Sequence, residues 1–151
     1  LFTGQVDAVI GAFRNFELNQ MAIEKRPGRP FYVEEYGIPP YDELIMVANR
    51  RDLKRPALGR FLDAVEKATQ FLVNHPEEAW LLFKSWDGEL DNELNARAWR
   101  DTLPRFALRP AALDHGRYRR FAAFLRAQGL IETVPALESY AVELEREAGG
   151  F

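Results

Sequence analysis

At 151 residues the chain is long enough for one domain with a core, and 47% hydrophobic against 28% charged residues excludes a disordered segment. Its net charge of −3, with Arg and Lys scattered among acids, argues against a nucleic-acid surface. It has no cysteine, which excludes disulfides, thiolate metal sites and a catalytic thiol, and no apolar run nears the roughly 20 residues of a membrane helix.

The opening Leu1-Phe2-Thr3-Gly4 has neither an initiator Met nor a basic leader, as expected of a chain that begins partway into a longer protein. Residues 6–10 are apolar apart from Asp7, and Gly11 ends the run. That pattern predicts a mostly buried strand of the kind found in parallel sheets. Over about residues 15–25 the pattern turns helical, with Leu18 and Ala22 one turn apart, until Arg26-Pro27-Gly28 stops it. Residues 31–33 read as a second strand. Pro39-Pro40 then makes a stiff connector, because proline fixes its own φ and restricts the residue before it. Residues 43–48 are continuously apolar after Glu43 and predict a central strand.

Beyond Asn49 the pattern is helical. Pro56 suits a first helical position, and Leu58, Phe61, Leu62, Val65, Ala68, Thr69, Leu72 and Val73 share one face. Asn74-His75-Pro76 breaks that helix, and Glu77 and Glu78 open the next, where acids suit the positive end of the dipole. Further helices are predicted over about 92–102 and 114–128, the latter with Gly129 at its C-terminal cap, and a last amphipathic stretch over 136–147. Three strands with one helix among them, then helices alone, predict an α/β class. The later helices would pack on a sheet whose other strands are not in this chain.

Several side chains are candidates for ligand contact. The strand at 6–10 hands over to Phe13, Arg14, Asn15 and Glu17, and ligands of doubly wound sheets sit beyond strand carboxyl ends. A carboxylate at Glu17 could accept hydrogen bonds from a ring amino group; an acid in a helix's first turn is by itself more often there for the dipole. Asn15 could contact ligand or cap the helix, capping being the commoner single role. Arg14 could bind an anion or pair with Glu17 or Glu34, and Phe13 could stack on a flat ring or fill a core. Glu34 and Glu35, as strand neighbours, would point to opposite faces, so at most one faces a cleft. Tyr36 and Tyr41 flank the connector. His75 and His115 lack metal-ligand spacing, the tryptophans suit helix packing, and the basic stretch 117–126 suits a half-solvated helix.

Four stretches together carry a resemblance: GQVDAVIGAFRNFELNQM, EEYGIPPYDELIMVANRRDL, FLVNHPEEAWLLF and RAWRDTLPRFALRP. From Gly4 to about Ile131 the chain resembles the second half of a solute-binding protein of an ABC importer. The branch is that binding pyrimidine precursors of thiamine, formylaminopyrimidine and hydroxymethylpyrimidine. The first two stretches are the more specific. The resemblance implies an incomplete α/β fold of the periplasmic binding protein type II kind, with residues 1–38 ending one lobe. Residues 39–41 would cross between lobes, and 42–151 would return to the first. It places the pyrimidine contact in the RNFE motif, at Glu17, and so favours the ligand role there. It implies a small pyrimidine ligand and a permease partner, without cofactor or metal, and a periplasmic or otherwise exported, lipid-anchored setting. A homodimer of the incomplete chain would cover its open sheet. Two other functions compete. One is a thiamine-pyrimidine synthase of the same fold, whose fungal members carry a cysteine-rich signature that is not in this chain. The other is a mainly helical interaction domain.

Overall fold

The computed structural model describes residues 1–144. Its regular elements are five α-helices joined by short 3₁₀ turns: α1 Glu17–Ile23, α2 Pro56–Asn74, α3 Pro76–Ser85, α4 Glu93–Thr102 and α5 His115–Ala127. The local signals for these helices hold. Pro56 and Pro76 start α2 and α3, where a missing N–H costs nothing. Asn92 and Asp114 cap α4 and α5, accepting from the amides of Asn95 and Arg117 at 2.8 and 2.9 Å. On α2, Leu58, Leu62, Val65, Leu72 and Val73 are half-buried and Thr69 is buried, whereas Phe61 stays exposed.

Two helix ends show the same termination. After α5, Gly129 takes φ 71°, and the Leu130 and Gly129 amides reach back to the carbonyls of Leu125 and Arg126. This is a Schellman cap, and glycine suits it because its left-handed backbone carries no Cβ penalty. At the end of α1 the equivalent residue is Lys25, at φ 55°, with the Arg26 amide bonded to the Met21 carbonyl at 2.9 Å. A side chain there costs about 1 kcal/mol relative to glycine.

The strands are where structure and sequence part. No strand forms among the described residues, so they are helical and not α/β. Residues 6–10 and 43–48 are irregular and exposed, with Ile10 fully solvated and Leu44 and Val47 at 89% and 86%. The expected buried strand and central strand are therefore corrected to open segments. The physical reason is non-local: a strand exists through ladder hydrogen bonds to a neighbour, and these stretches do not pair with one another. Residues 33–36 are a 3₁₀ turn, Val33–Tyr36, and not the end of a strand. It closes at Gly37 (φ 91°), with the Ile38 amide on the Val33 carbonyl. The stretch predicted as amphipathic over 136–147 holds a single short 3₁₀ turn, Leu137–Ser139, and its residues 145–147 lie outside the described ones.

The chain divides into two compact units. One comprises Leu1–Phe31 with Ala68–Leu108, and the other Tyr32–Lys67 with Arg109–Phe151. In the first unit α1 packs on α4, and Trp80, Phe83 and Trp99 cluster with ring centroids 5.1–5.8 Å apart. The Trp99 indole N–H is buried there and meets no acceptor among the described residues. In the second unit Tyr41 stacks on Phe121 at 4.8 Å, directly after the Pro39-Pro40 connector. Asp42 pairs with Arg117 of α5, and Arg50 donates to the Ser139 carbonyl at 2.5 Å. Among the described apolar residues only Ala79, Ala98, Ala122 and Leu137 are buried. So thin a core leaves larger side chains such as Leu81, Leu82 and Trp86 of the first unit on the surface.

Candidate functional site

The turn from Phe13 to Glu17 is built by its own hydrogen bonds. The Phe13 carbonyl accepts from the amides of Phe16 and Glu17 at 3.1 and 3.0 Å. The Glu17 Oε2 atom accepts from the Phe13 amide at 2.7 Å. This reciprocal exchange works like a capping box, with an acid at the first helical residue reaching back to the chain that enters the helix. A carboxylate has room for further bonds on both oxygens, so the Phe13 amide does not exhaust Glu17 as an acceptor.

Asn15 does not cap α1. The N-cap residue is Phe16, and no side chain caps it. Instead the Asn15 Nδ2 atom donates to the Thr102 hydroxyl at 2.7 Å, and that hydroxyl donates to the Ala98 carbonyl at 2.6 Å. Asn19, one turn into α1, donates to the Asn15 carbonyl at 3.1 Å and to Asp101 at 2.7 Å. The polar run that follows residues 6–10 is therefore spent largely on joining the turn and α1 to the end of α4. Asn15 and Asn19 lie four residues apart, but nothing local in the sequence points to α4.

Phe13 is 46% exposed at this turn. Arg14 is half-buried in it. Phe13, Arg14, Asn15 and Glu17 thus form one group within the first unit. Glu34 and Tyr36 belong to the second unit, both exposed, on the Val33–Tyr36 turn. Neighbours in a 3₁₀ turn diverge by about a third of a circle, so Glu34 and Glu35 do not aim at one point.

The first unit also has an open depression lined by Gln20, Ile23, Glu24, Asn92, Glu93 and Leu94. It offers amides and acids but no aromatic ring. No grouping of His, Asp and Glu among the described residues is suited to hold a metal ion. No helix among them is long and apolar enough to cross a membrane.

In the second unit the charges gather at the start of α5. Asp114 lies below the usual carboxylate range, first because it accepts the Arg117 amide and then because the Arg117 guanidinium is near. Arg117 is held charged chiefly by its hydrogen bond to Asp42. Burial pushes the Tyr118 phenol up. These groups fasten the segment after the connector to α5, and their arrangement is that of a structural ion pair.

The profile of the family described as NMT1/THI5 like matches residues 1–79. A Haemophilus influenzae protein with a provisional thiamine-biosynthesis name is 53% identical over 146 residues, covering 96% of this chain and 46% of that protein. The formylaminopyrimidine-binding protein of Halalkalibacterium halodurans is 31% identical over 81 residues, which are 52% of this chain and 24% of that protein. The chain thus spans half or less of the length of the curated relatives it matches. No solved structure matches it. With a profile match over more than half of its residues, the chain belongs to the NMT1/THI5-like family.

Proposed function

We propose that this chain is part of a solute-binding protein that captures a pyrimidine precursor of thiamine for an ABC importer. The observation that carries the proposal is its likeness, within the family, to a protein named for binding formylaminopyrimidine. The 13–17 turn supplies suitable chemistry for such a ligand. Glu17 accepts hydrogen bonds from the ring amino group, and Phe13 offers a stacking face. Arg14 and Asn15 shape the turn, and Glu34 and Tyr36 are further candidates for ligand contact on the Val33–Tyr36 turn.

In this proposal the whole protein has two α/β lobes of the periplasmic binding protein type II kind and closes on its ligand. Residues 39–41 cross between the lobes, and residues 6–10 and 43–48 become strands in sheets completed by other polypeptide. Their apolar side chains on both faces support that role, because strands buried on both sides read as continuous apolar runs. The setting is periplasmic or otherwise exported, and the partner is a permease.

Equilibrium dialysis of the intact protein against formylaminopyrimidine, with uracil as the control, tests the reading. Retention of the aminopyrimidine alone supports it. Equal retention of both, or of neither, overturns it. The thiamine-biosynthesis name of the Haemophilus influenzae relative favours a second reading, an enzyme of pyrimidine formation. Recovery of a chemically altered pyrimidine after incubation would favour the enzyme, and recovery of unchanged ligand the binder.

A further inference from the structure

The 13–17 turn is closed by Phe13 and Glu17 and leads into a helix too short to anchor it. The residues before it are exposed, α1 is 7 residues long, and its N-cap has no side-chain partner. A helix that short is not stable by itself in water. The turn and α1 are tied to the C-terminal end of α4 by residues more than 80 positions away in the chain.

Within that tie, Thr102 has a specific part. Its hydroxyl has one proton, and that proton goes to the Ala98 carbonyl. Toward Asn15 it is therefore an acceptor only, which obliges Asn15 to present its NH2 group and sets which way the amide lies. Asn15 stands two residues from Glu17 and two from Phe13, and its carbonyl is held by Asn19, which is itself fastened to Asp101.

We propose that Thr102 is a positioning residue for the pyrimidine site: through Asn15 it sets the place of the Glu17 carboxylate and the Phe13 ring without touching the ligand. The proposal rests on the reading that the 13–17 turn contacts the pyrimidine. A turn pre-set in its binding geometry saves the ordering cost at the moment of binding, so loss of the strut appears in affinity.

The test is titration of formylaminopyrimidine into the intact protein and its Thr102→Val, Thr102→Ser and Asp101→Ala variants, each well below its melting temperature. Valine keeps the shape of threonine and removes the hydroxyl, and serine restores the hydroxyl. The expected result is about 5- to 20-fold weaker binding for Thr102→Val, near-recovery for Thr102→Ser, and an intermediate loss for Asp101→Ala. Wild-type affinity in folded Thr102→Val overturns the proposal, even if its melting temperature has dropped, because a merely structural role moves stability alone. Should Thr102→Val not fold, Asp101→Ala decides, since Asp101 is exposed and its loss releases Asn19 from α4. Unchanged affinity there overturns the proposal as well. Absence of binding by the wild-type protein overturns the pyrimidine reading itself and this proposal with it.

Discussion

Phe13 and Glu17 hold each other through two hydrogen bonds: the Phe13 carbonyl accepts from the Glu17 amide at 3.0 Å, and the Glu17 carboxylate accepts from the Phe13 amide at 2.7 Å. The acid that closes the turn is also the acceptor proposed for the ligand. For stability the acceptor matters more than the charge. Glu17→Ala is expected to cost about 1 kcal/mol, the usual worth of a helix-end side-chain cap, and Glu17→Gln clearly less, because its amide oxygen can still accept from Phe13. Thermal melting of the two variants checks this. Equal losses would show that the bond to Phe13 contributes nothing.

Lys25 closes α1 in a left-handed conformation that glycine adopts without penalty. Lys25→Gly is expected to raise stability by up to about 1 kcal/mol, since the Cβ strain is relieved at a position outside the helix interior. A denaturant titration reads the change. A loss of stability would mean that the Lys25 side chain makes contacts that outweigh the strain.

Asp114 caps α5, and its carboxyl is lowered below 3.8 by the Arg117 amide and guanidinium. The folded value lies below the unfolded one, so the contribution to stability is present in full above about pH 4 and is lost as pH falls through the folded value. Asparagine caps as well as aspartate but does not titrate. Between pH 7 and pH 3 the wild-type protein should therefore lose more melting temperature than Asp114→Asn. Parallel pH profiles of the two would contradict the assignment.

Leu44 and Val47, at 89% and 86% exposure, and Ile10, fully exposed, leave apolar surface that water does not favour. The chain by itself is expected to self-associate, and Leu44→Lys with Val47→Lys to reduce that association. Sedimentation velocity over a range of concentrations reads it. A concentration-independent monomer of the unaltered chain would contradict the expectation.

The helices were legible because their signals are local. Pro56, Pro76, Asn92, Asp114 and Gly129 each act through the backbone groups of their own helix end; Pro56 and Gly129 take the positions expected of them, Asn92 and Asp114 lie at the expected starts, and Pro76, expected to break the preceding helix, is also the first residue of α3. Residues 6–10 and 43–48 form no strand here because a strand is a pairwise object: their composition suits a sheet interior, but neither is paired among the described residues. The group at the 13–17 turn was half legible. Glu17 could be placed at a helix start, whereas the use of Asn15 depends on Thr102, 87 residues away, which no spacing rule reveals. Lys25 gave no sign of its backbone, because lysine is ordinary in helices and uncommon in left-handed geometry.

The proposed binding of a thiamine pyrimidine precursor at the turn held by Phe13 and Glu17 stands or falls on the Glu17 carboxylate. Calorimetric titration of formylaminopyrimidine into the intact wild-type and Glu17→Gln proteins tests it most directly. Glutamine keeps the size and the bond to Phe13 but removes the charge and sets a donor against the ligand's amino group. The expected loss is about 2–4 kcal/mol, which is about 30- to 1000-fold in Kd, with little change in ligand-free stability. Wild-type affinity in Glu17→Gln would contradict it and leave Glu17 as a residue that only closes a helix end.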